Sequence, residues 1–316
     1  SEMCIRDRFL YHDVCTNGIG YVDLMFKTDS IAPEQIPYLG LLKSVLGYVD
    51  TENYTYGELF NEINANTGGI NCGVEVFDRA DSTEEFQAMF SVRGKALYTK
   101  MDFLFKMIGE ILNSSKLEDT KRLYEIVASV KSRAQVNLTG AGHSTAVLRA
   151  AAYSSPMAAF QDEMAGIGYY QFIEKLEKDF EQRKEETVEE LCKLMKKILR
   201  PENFMISYTG ERESLETVQK LAGAVKAGLG TEPVEKSEEK LTCTKKNEGF
   251  KTSGQVQYVA QTGNFKKKGL EYTGALEILK VILSYDYLWM NLRVKGGAYG
   301  CMSCLLYTSP SPRDTR

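Results

Sequence analysis

The chain has 316 residues, of which 43% are hydrophobic and 26% are charged, and its formal net charge is −4. This composition excludes a disordered or fibrous chain and predicts two globular domains with substantial hydrophobic cores. Lysine and arginine are scattered among acidic residues, so there is no basic stripe for a phosphate backbone and nucleic acid is not expected as a partner. No apolar run reaches the roughly eighteen residues of a membrane span, and no membrane partner is expected.

The two ends of the chain differ in character from the rest. Residues 1–8 (SEMCIRDR) and 304–316 (CLLYTSPSPRDTR) resemble translated sequencing-adaptor sequence, and the first residue is not methionine. We set both aside as non-native tails. The natural protein is expected to extend further on both sides.

The first domain is predicted to span residues 9–227, and from Thr16 onward it alternates between strand-like and helix-like patterns. Period-two alternation predicts strands at Ile19–Phe26, Ile70–Phe77 and Phe90–Leu97, whereas apolar residues three and four apart predict helices at Pro37–Val49, Thr55–Ala65 and Met101–Leu112. This order is typical of an α+β fold with an antiparallel sheet and helices packed on one side.

A long helical section is predicted next, from Glu118 to Leu199, with a helix boundary at Ser155-Pro156. A strand ending at Gly210 and a helix at Glu213–Val225 would complete the first domain. The polar, charged residues 228–249 are interpreted as an interdomain linker. The second domain, 250–303, is predicted to contain a strand at Val256–Ala260, a helix at Tyr272–Met290 and the start of a strand at Tyr299–Ser303.

The seven cysteines are odd in number and irregularly spaced. This pattern favours a reducing compartment such as the cytoplasm over a disulfide framework. Cys301 and Cys304 form a C-x-x-C sequence, which we interpret as chance because neither a second cysteine pair nor a strand-turn-helix pattern accompanies it.

Arg293 and Tyr299 are the strongest candidates for a functional site. They flank Gly296-Gly297, and two adjacent glycines allow a tight turn that can bring both side chains to one side. A guanidinium can bind a carbonyl or carboxylate, and a phenol can donate a hydrogen bond to an oxygen that gains negative charge. The simpler alternative is an arginine interacting with carbonyls at a helix end and a strand tyrosine in a core.

Six short motifs follow one another along the chain: Thr16–Tyr21 (TNGIGY), Asp50–Leu59 (DTENYTYGEL), Ile63–Ile70 (INANTGGI), Arg93–Leu97 (RGKAL), Gly142–Ser144 (GHS) and Leu292–Gly300 (LRVKGGAYG). Together they resemble the C-terminal half of the presequence-protease type of metallopeptidase, a branch of the pitrilysin/insulinase zinc peptidases. The resemblance covers about Tyr11–Ser303. It implies four homologous α+β domains in two halves that close around an unfolded peptide, with this chain holding the third domain and the start of the fourth.

The resemblance also implies where the zinc ion is bound. In that family an H-x-x-E-H motif in the first domain holds zinc and activates water. The equivalent positions here are Leu39, Leu42 and Lys43, which cannot coordinate zinc, and the only histidines, His12 and His143, are far apart. A structural or surface role is expected for His143. No cofactor is therefore expected in this chain, which alone should cleave nothing, and its partners would be a peptide substrate and the N-terminal half that carries zinc.

By the same resemblance, Arg293 and Tyr299 would bind substrate beside the zinc ion, and Tyr299 would help to stabilise the tetrahedral oxyanion. The Thr67-Gly68-Gly69 turn and residues 140–143 are weaker candidates for lining the chamber, since backbone geometry and packing explain them equally well. The alternative function is a non-catalytic core or scaffold subunit of a processing-peptidase-like complex, which an upstream sequence without H-x-x-E-H would favour. A third alternative is an enzyme with the same α+β architecture that acts on a small molecule. It would need a compact polar pocket, for which the sequence has no motif.

Overall fold

The structure is a computed structural model that describes residues 3–4, 9–79, 82, 84–237, 239, 241–252 and 254–305, with only the backbone at 3–4. The described residues fall into two units, one within Ser1–Phe77 and Phe86–Gln261 and the other within Asp78–Glu85 and Thr262–Arg316. Of the two predicted non-native tails, 1–8 and 304–316, all but residues 3–4 and 304–305 lie outside the described part.

A six-stranded sheet forms the centre of the first unit. Its strands, in chain order, are β1 (Met3–Cys4), β2 (Phe9–Asp13), β3 (Ile19–Lys27), β4 (Ile70–Asp78), β5 (Phe86–Leu97) and β6 (Phe204–Gly210). The strands lie side by side in the order β1-β2-β6-β3-β5-β4. The predicted α+β class is confirmed, but the sheet is not wholly antiparallel, because β2 pairs with β6 in parallel.

The two faces of the sheet differ in polarity because successive side chains of a strand point to opposite sides. On one face, Val22, Leu24 and Phe26 of β3 are buried in the hydrophobic core. On the other face Asp23 lies opposite Ser207 of β6 and Arg93 of β5. We call this second surface, with its polar residues, the open face of the sheet.

The helices of the first unit follow the predicted order. They are α1 (Ile36–Val45), α2 (Tyr56–Asn66), α3 (Met101–Ser114), α4 (Thr120–Gly140), α5 (Gly142–Ala152), α6 (Pro156–Ala165), α7 (Ile167–Lys178), α8 (Phe180–Ile198) and α9 (Leu215–Ala227). Local sequence sets several ends: the Thr55 hydroxyl accepts the Glu58 N–H, and the Glu58 carboxylate accepts the Thr55 N–H, so the two cap α2 reciprocally. The predicted boundary at Ser155-Pro156 is confirmed, because Ser155 caps α6.

The second unit departs from the prediction. Its α10 (Gly274–Ile282) continues into a π-helix, Leu283–Lys295, rather than ending at Met290. No residue of either helix is buried, and Ile278 is 64% exposed. Neither predicted strand forms: 256–260, in the first unit, and 299–303 are irregular in the described chain, and Val259 is 85% exposed. Alternation of apolar residues is not enough for a strand, which also requires a neighbouring strand to pair its backbone.

The boundary between the units also differs from the predicted one. Residues 250–261, which we assigned to the second domain, pack with the first unit. Within the predicted linker, the Glu248 carboxylate binds the Arg149 guanidinium of α5 at 2.8 Å. No described helix is both long and apolar enough to span a membrane.

Candidate functional site

The turn after the π-helix brings the chain back toward Arg293. Gly297 has a φ of +71°, in the left-handed region that favours glycine. The Gly297 N–H donates to the Arg293 carbonyl at 3.1 Å, and the Ala298 N–H donates to the Leu292 carbonyl at 2.9 Å. These two bonds close the turn at the C-terminal end of the helix.

Arg293 and Tyr299 are brought together by this turn, as the paired glycines predict. Nη1 of Arg293 donates hydrogen bonds to the carbonyls of Ala298, at 3.2 Å, and of Tyr299. The guanidinium carbon lies 6.0 Å from the centroid of the Tyr299 ring and 5.0 Å from that of Trp289. Both rings are within the range of a cation–π interaction.

Trp289 is the member of this cluster that the sequence reasoning missed. It is the only tryptophan of the chain, and it precedes Arg293 by four residues, the spacing that places two side chains on the same side of a helix. That spacing could have identified it. We call Trp289, Arg293 and Tyr299 the hinge cluster.

The simpler alternatives for Arg293 and Tyr299, an arginine at a helix end and a tyrosine in a core, are partly correct. Arg293 does bind carbonyls just beyond the end of a helix. Tyr299, however, is 93% exposed and lies in no described strand, so a core role does not apply to it. The cluster therefore presents a phenol at the surface beside a guanidinium whose position is fixed by backbone carbonyls and an indole ring.

A cavity of about 450 Å³ lies on the open face of the sheet and is bordered by Gly68 and Gly69 of the predicted Thr67-Gly68-Gly69 turn. Gly69 has a φ of +102°, and the Gly68 N–H donates to the Lys95 carbonyl of β5 at 2.7 Å. The polar residues around the cavity include Asp23, Asn71, Arg93, Lys95, Ser207 and Thr209.

Asp23 and Arg93 form an ion pair in this cavity. Nε of Arg93 lies 2.8 Å from Oδ2 of Asp23, and its Nη1 lies 3.1 Å from Oε1 of Glu75. Oδ1 of Asp23 is buried and has no hydrogen-bond partner among the described residues. Burial raises the pKa of Asp23 above its ordinary value, and the bond to Arg93 only partly offsets this.

We expect the Asp23→Asn substitution to change the free energy of unfolding by less than about 1 kcal/mol at neutral pH, because its partner Arg93 is half-exposed and an ion pair in contact with water contributes little. A carboxyl whose folded-state pKa is raised contributes stability at low pH and loses it as the pH rises. Stability of the wild type relative to Asp23→Asn should therefore fall as the pH rises above about 4, the ordinary pKa of an aspartate, through the raised pKa of the folded state. Urea unfolding at several pH values measures this, with Asp102→Asn, at an exposed position of α3 outside this cluster, as the control. A large loss at pH 7 would contradict the prediction.

The residues at the positions equivalent to a zinc motif do not fit a zinc ion. Leu39 and Leu42 of α1 are 0% and 1% exposed in the hydrophobic core, and Lys43 carries an ammonium group. The described part of the chain contains no group of three or more His, Cys, Asp or Glu that could hold a metal. His143 lies 6.3 Å from Tyr258, ring centroid to ring centroid, and His12 is an exposed residue of β2.

Two family models match the sequence. One describes a region associated with the peptidases of family M16, subfamily C, and matches residues 2–176. The other, the PreP C-terminal domain, matches residues 247–311. Both matches extend into the stretches set aside as tails.

Similar proteins are found among curated sequences and solved structures. Protein HypA of Clostridium perfringens is 38% identical over 294 residues, which are 93% of this chain and 30% of that protein. Presequence protease 1, chloroplastic/mitochondrial, of Arabidopsis thaliana is 28% identical over 93% of this chain and 27% of that protein. The chain thus spans less than a third of either relative. A solved structure described as a peptidase M16 inactive domain from Pseudomonas fluorescens aligns with a TM-score of 0.48 and 15% identity, over 74% of this chain and 51% of that one.

Proposed function

Since the chain belongs to the family associated with subfamily C of the M16 peptidases, whose model matches more than half of its residues, we propose that it is the non-catalytic C-terminal half of a zinc-dependent endopeptidase. The enzyme would degrade short unstructured peptides, and this half would supply groups that bind the peptide. The relatives named presequence protease support the reaction class. The zinc ion would be held by polypeptide outside this sequence.

The observation that carries the proposal is the geometry of the hinge cluster. A guanidinium has five N–H donors in a rigid fork. Nη1 of Arg293 is bound to the two carbonyls of the turn, and Nε and Nη2, which have no partner in the described part of the chain, can donate to a ligand. Since Trp289 and the turn already hold the fork in place, little conformational entropy remains to be lost when a peptide carbonyl or carboxylate binds.

Tyr299 has a different role in this proposal. Its ring lies beside the guanidinium, and its side chain is almost fully exposed. A neutral phenol in this position can donate a hydrogen bond to the carbonyl oxygen of the bound peptide. The bond strengthens as that oxygen gains negative charge, so it lowers the energy of the transition state more than that of the bound substrate.

The test uses a protein in which the natural upstream sequence precedes this chain. Its cleavage of an unstructured fluorogenic peptide is measured, together with its zinc content. Replacing Tyr299 with phenylalanine should lower kcat by about 100-fold, because one oxyanion donor is lost, while zinc content stays unchanged. Arg293→Lys should raise KM, because an ammonium cannot reproduce the fork.

Tyr285→Phe is the matched control, since Tyr285 is also an exposed tyrosine of the second unit, on the π-helix before the cluster. It should leave both kcat and KM unchanged. Full activity of Tyr299→Phe would overturn the role assigned to the phenol. An upstream sequence without H-x-x-E-H, in a protein that cleaves nothing, would instead favour the core or scaffold subunit.

A further inference from the structure

A cavity of about 410 Å³ lies in the helical layer of the first unit. Its wall is formed by α1, α4, α5 and the junction between α6 and α7. Apolar side chains such as Val130, Leu148 and Met164 line part of it, and polar groups line the rest. None of the lining residues is an aspartate or a glutamate.

Two cations border this cavity without a counter-ion. Lys43 of α1 is partly buried, and burial alone lowers the pKa of its amine. Arg133 of α4 lines the same cavity from the opposite helix. Neither side chain forms an ion pair within the described part of the chain. A desolvated ammonium without an anion is unfavourable, and a bound anion would remove that cost.

A buried donor completes the polar part of the wall. Tyr169 of α7 is 5% exposed, and its hydroxyl has no hydrogen-bond partner among the described residues. Burial raises the pKa of Tyr169, and the nearby Arg133 and the Ser44 hydroxyl only partly offset this, so the phenol stays protonated and remains a donor. The hydroxyls of Ser44, Ser144 and Thr145 and the amide of Asn137 also border the cavity. Buried polar groups in folded proteins are nearly always hydrogen-bonded, so the phenol lacks an acceptor that a ligand would supply.

We propose that this cavity binds a carboxylate that carries a small apolar group. Lys43 and Arg133 neutralise the carboxylate, the Tyr169 hydroxyl donates to one of its oxygens, and the aliphatic wall takes the apolar group. The same chemistry is offered by the C-terminal residue of a free peptide and by an acidic side chain of polypeptide that flanks this chain in a longer protein. The proposed function assigns no role to this cavity, so the inference goes beyond it.

The test measures binding of N-acetyl-leucine to the 316-residue chain by isothermal titration calorimetry, with N-acetyl-leucinamide as the uncharged analogue. The acid should bind and the amide should not. Lys43→Met should weaken binding by roughly ten-fold or more, as expected for a hydrogen bond to a charged group. Tyr169→Phe should weaken it several-fold, Lys43→Arg should retain it, and Lys226→Met, at an exposed position of α9, should leave it unchanged.

A second titration distinguishes the two sources of the carboxylate. N-acetyl-leucine should bind the longer protein equally well if the natural ligand is free, and should bind only this chain if a flanking acidic side chain fills the cavity. Thermal melting verifies that each variant is folded. If Lys43→Met does not fold, Tyr169→Phe still tests the site, because it removes only one oxygen atom. Equal binding of acid and amide, binding that survives both substitutions, or no binding by either protein would overturn the proposal.

Discussion

Replacing Asp162 with alanine should lower the free energy of unfolding by about 3 kcal/mol, because it removes the acceptor of two backbone N–H groups at the start of α7 and one of the two carboxylates that bind the largely buried Arg149. Asp162 is 1% exposed, and its Oδ2 lies 2.6 Å from Nη1 of Arg149. Its two oxygens also accept the backbone N–H groups of Ile167, at 3.0 Å, and Gly168, at 3.1 Å. One carboxylate therefore caps the start of α7 and also shares the charge of Arg149 with Glu248.

Urea unfolding followed by circular dichroism measures the effect. The matched control is Glu181→Ala, which removes an exposed carboxylate paired with Lys184 within α8. Its cost should stay below about 1 kcal/mol, because exposed ion pairs contribute little. A loss of similar size in both variants would show that the buried position of Asp162 is not what makes it important.

The second large effect is expected at Gly40 of α1. A β-carbon at this position would lie 2.6 Å from the main-chain oxygen of Met164 and 2.8 Å from the ring of Tyr169. Gly40→Val should destabilise the protein by about 3 kcal/mol or more, because α1 would have to move away from α6 and α7. The same urea experiment measures it.

Gly223 of α9 provides the control for this substitution. It is also a helical glycine, but a β-carbon there would meet nothing within 4 Å. Gly223→Val should change stability by less than about 0.5 kcal/mol, since valine is a slightly better helix former than glycine. If both valines cost the same, helix propensity rather than close packing would explain Gly40.

The hinge cluster shows how far local sequence reasoning reaches. Two adjacent glycines between Arg293 and Tyr299 were sufficient to predict their proximity, because a turn is a local property of the backbone. Their role in binding a peptide stays a prediction. The 410 Å³ cavity in the helical layer could not be predicted in this way, because Lys43 lies on α1 whereas Tyr169 and Arg133 come from helices far along the chain.

By itself, the sequence determined strands β3 to β6, several helices of the first unit and the α+β class, because periodic burial and capping residues such as Ser155 act within a few residues. Only the tertiary structure decided the parallel pairing of β2 with β6 and the anchoring of Glu248 by Arg149. It also decided that 256–260 and 299–303 form no strand. Each of these depends on which distant segment lies alongside, since a strand or a buried charge is stable only when a partner satisfies its hydrogen bonds.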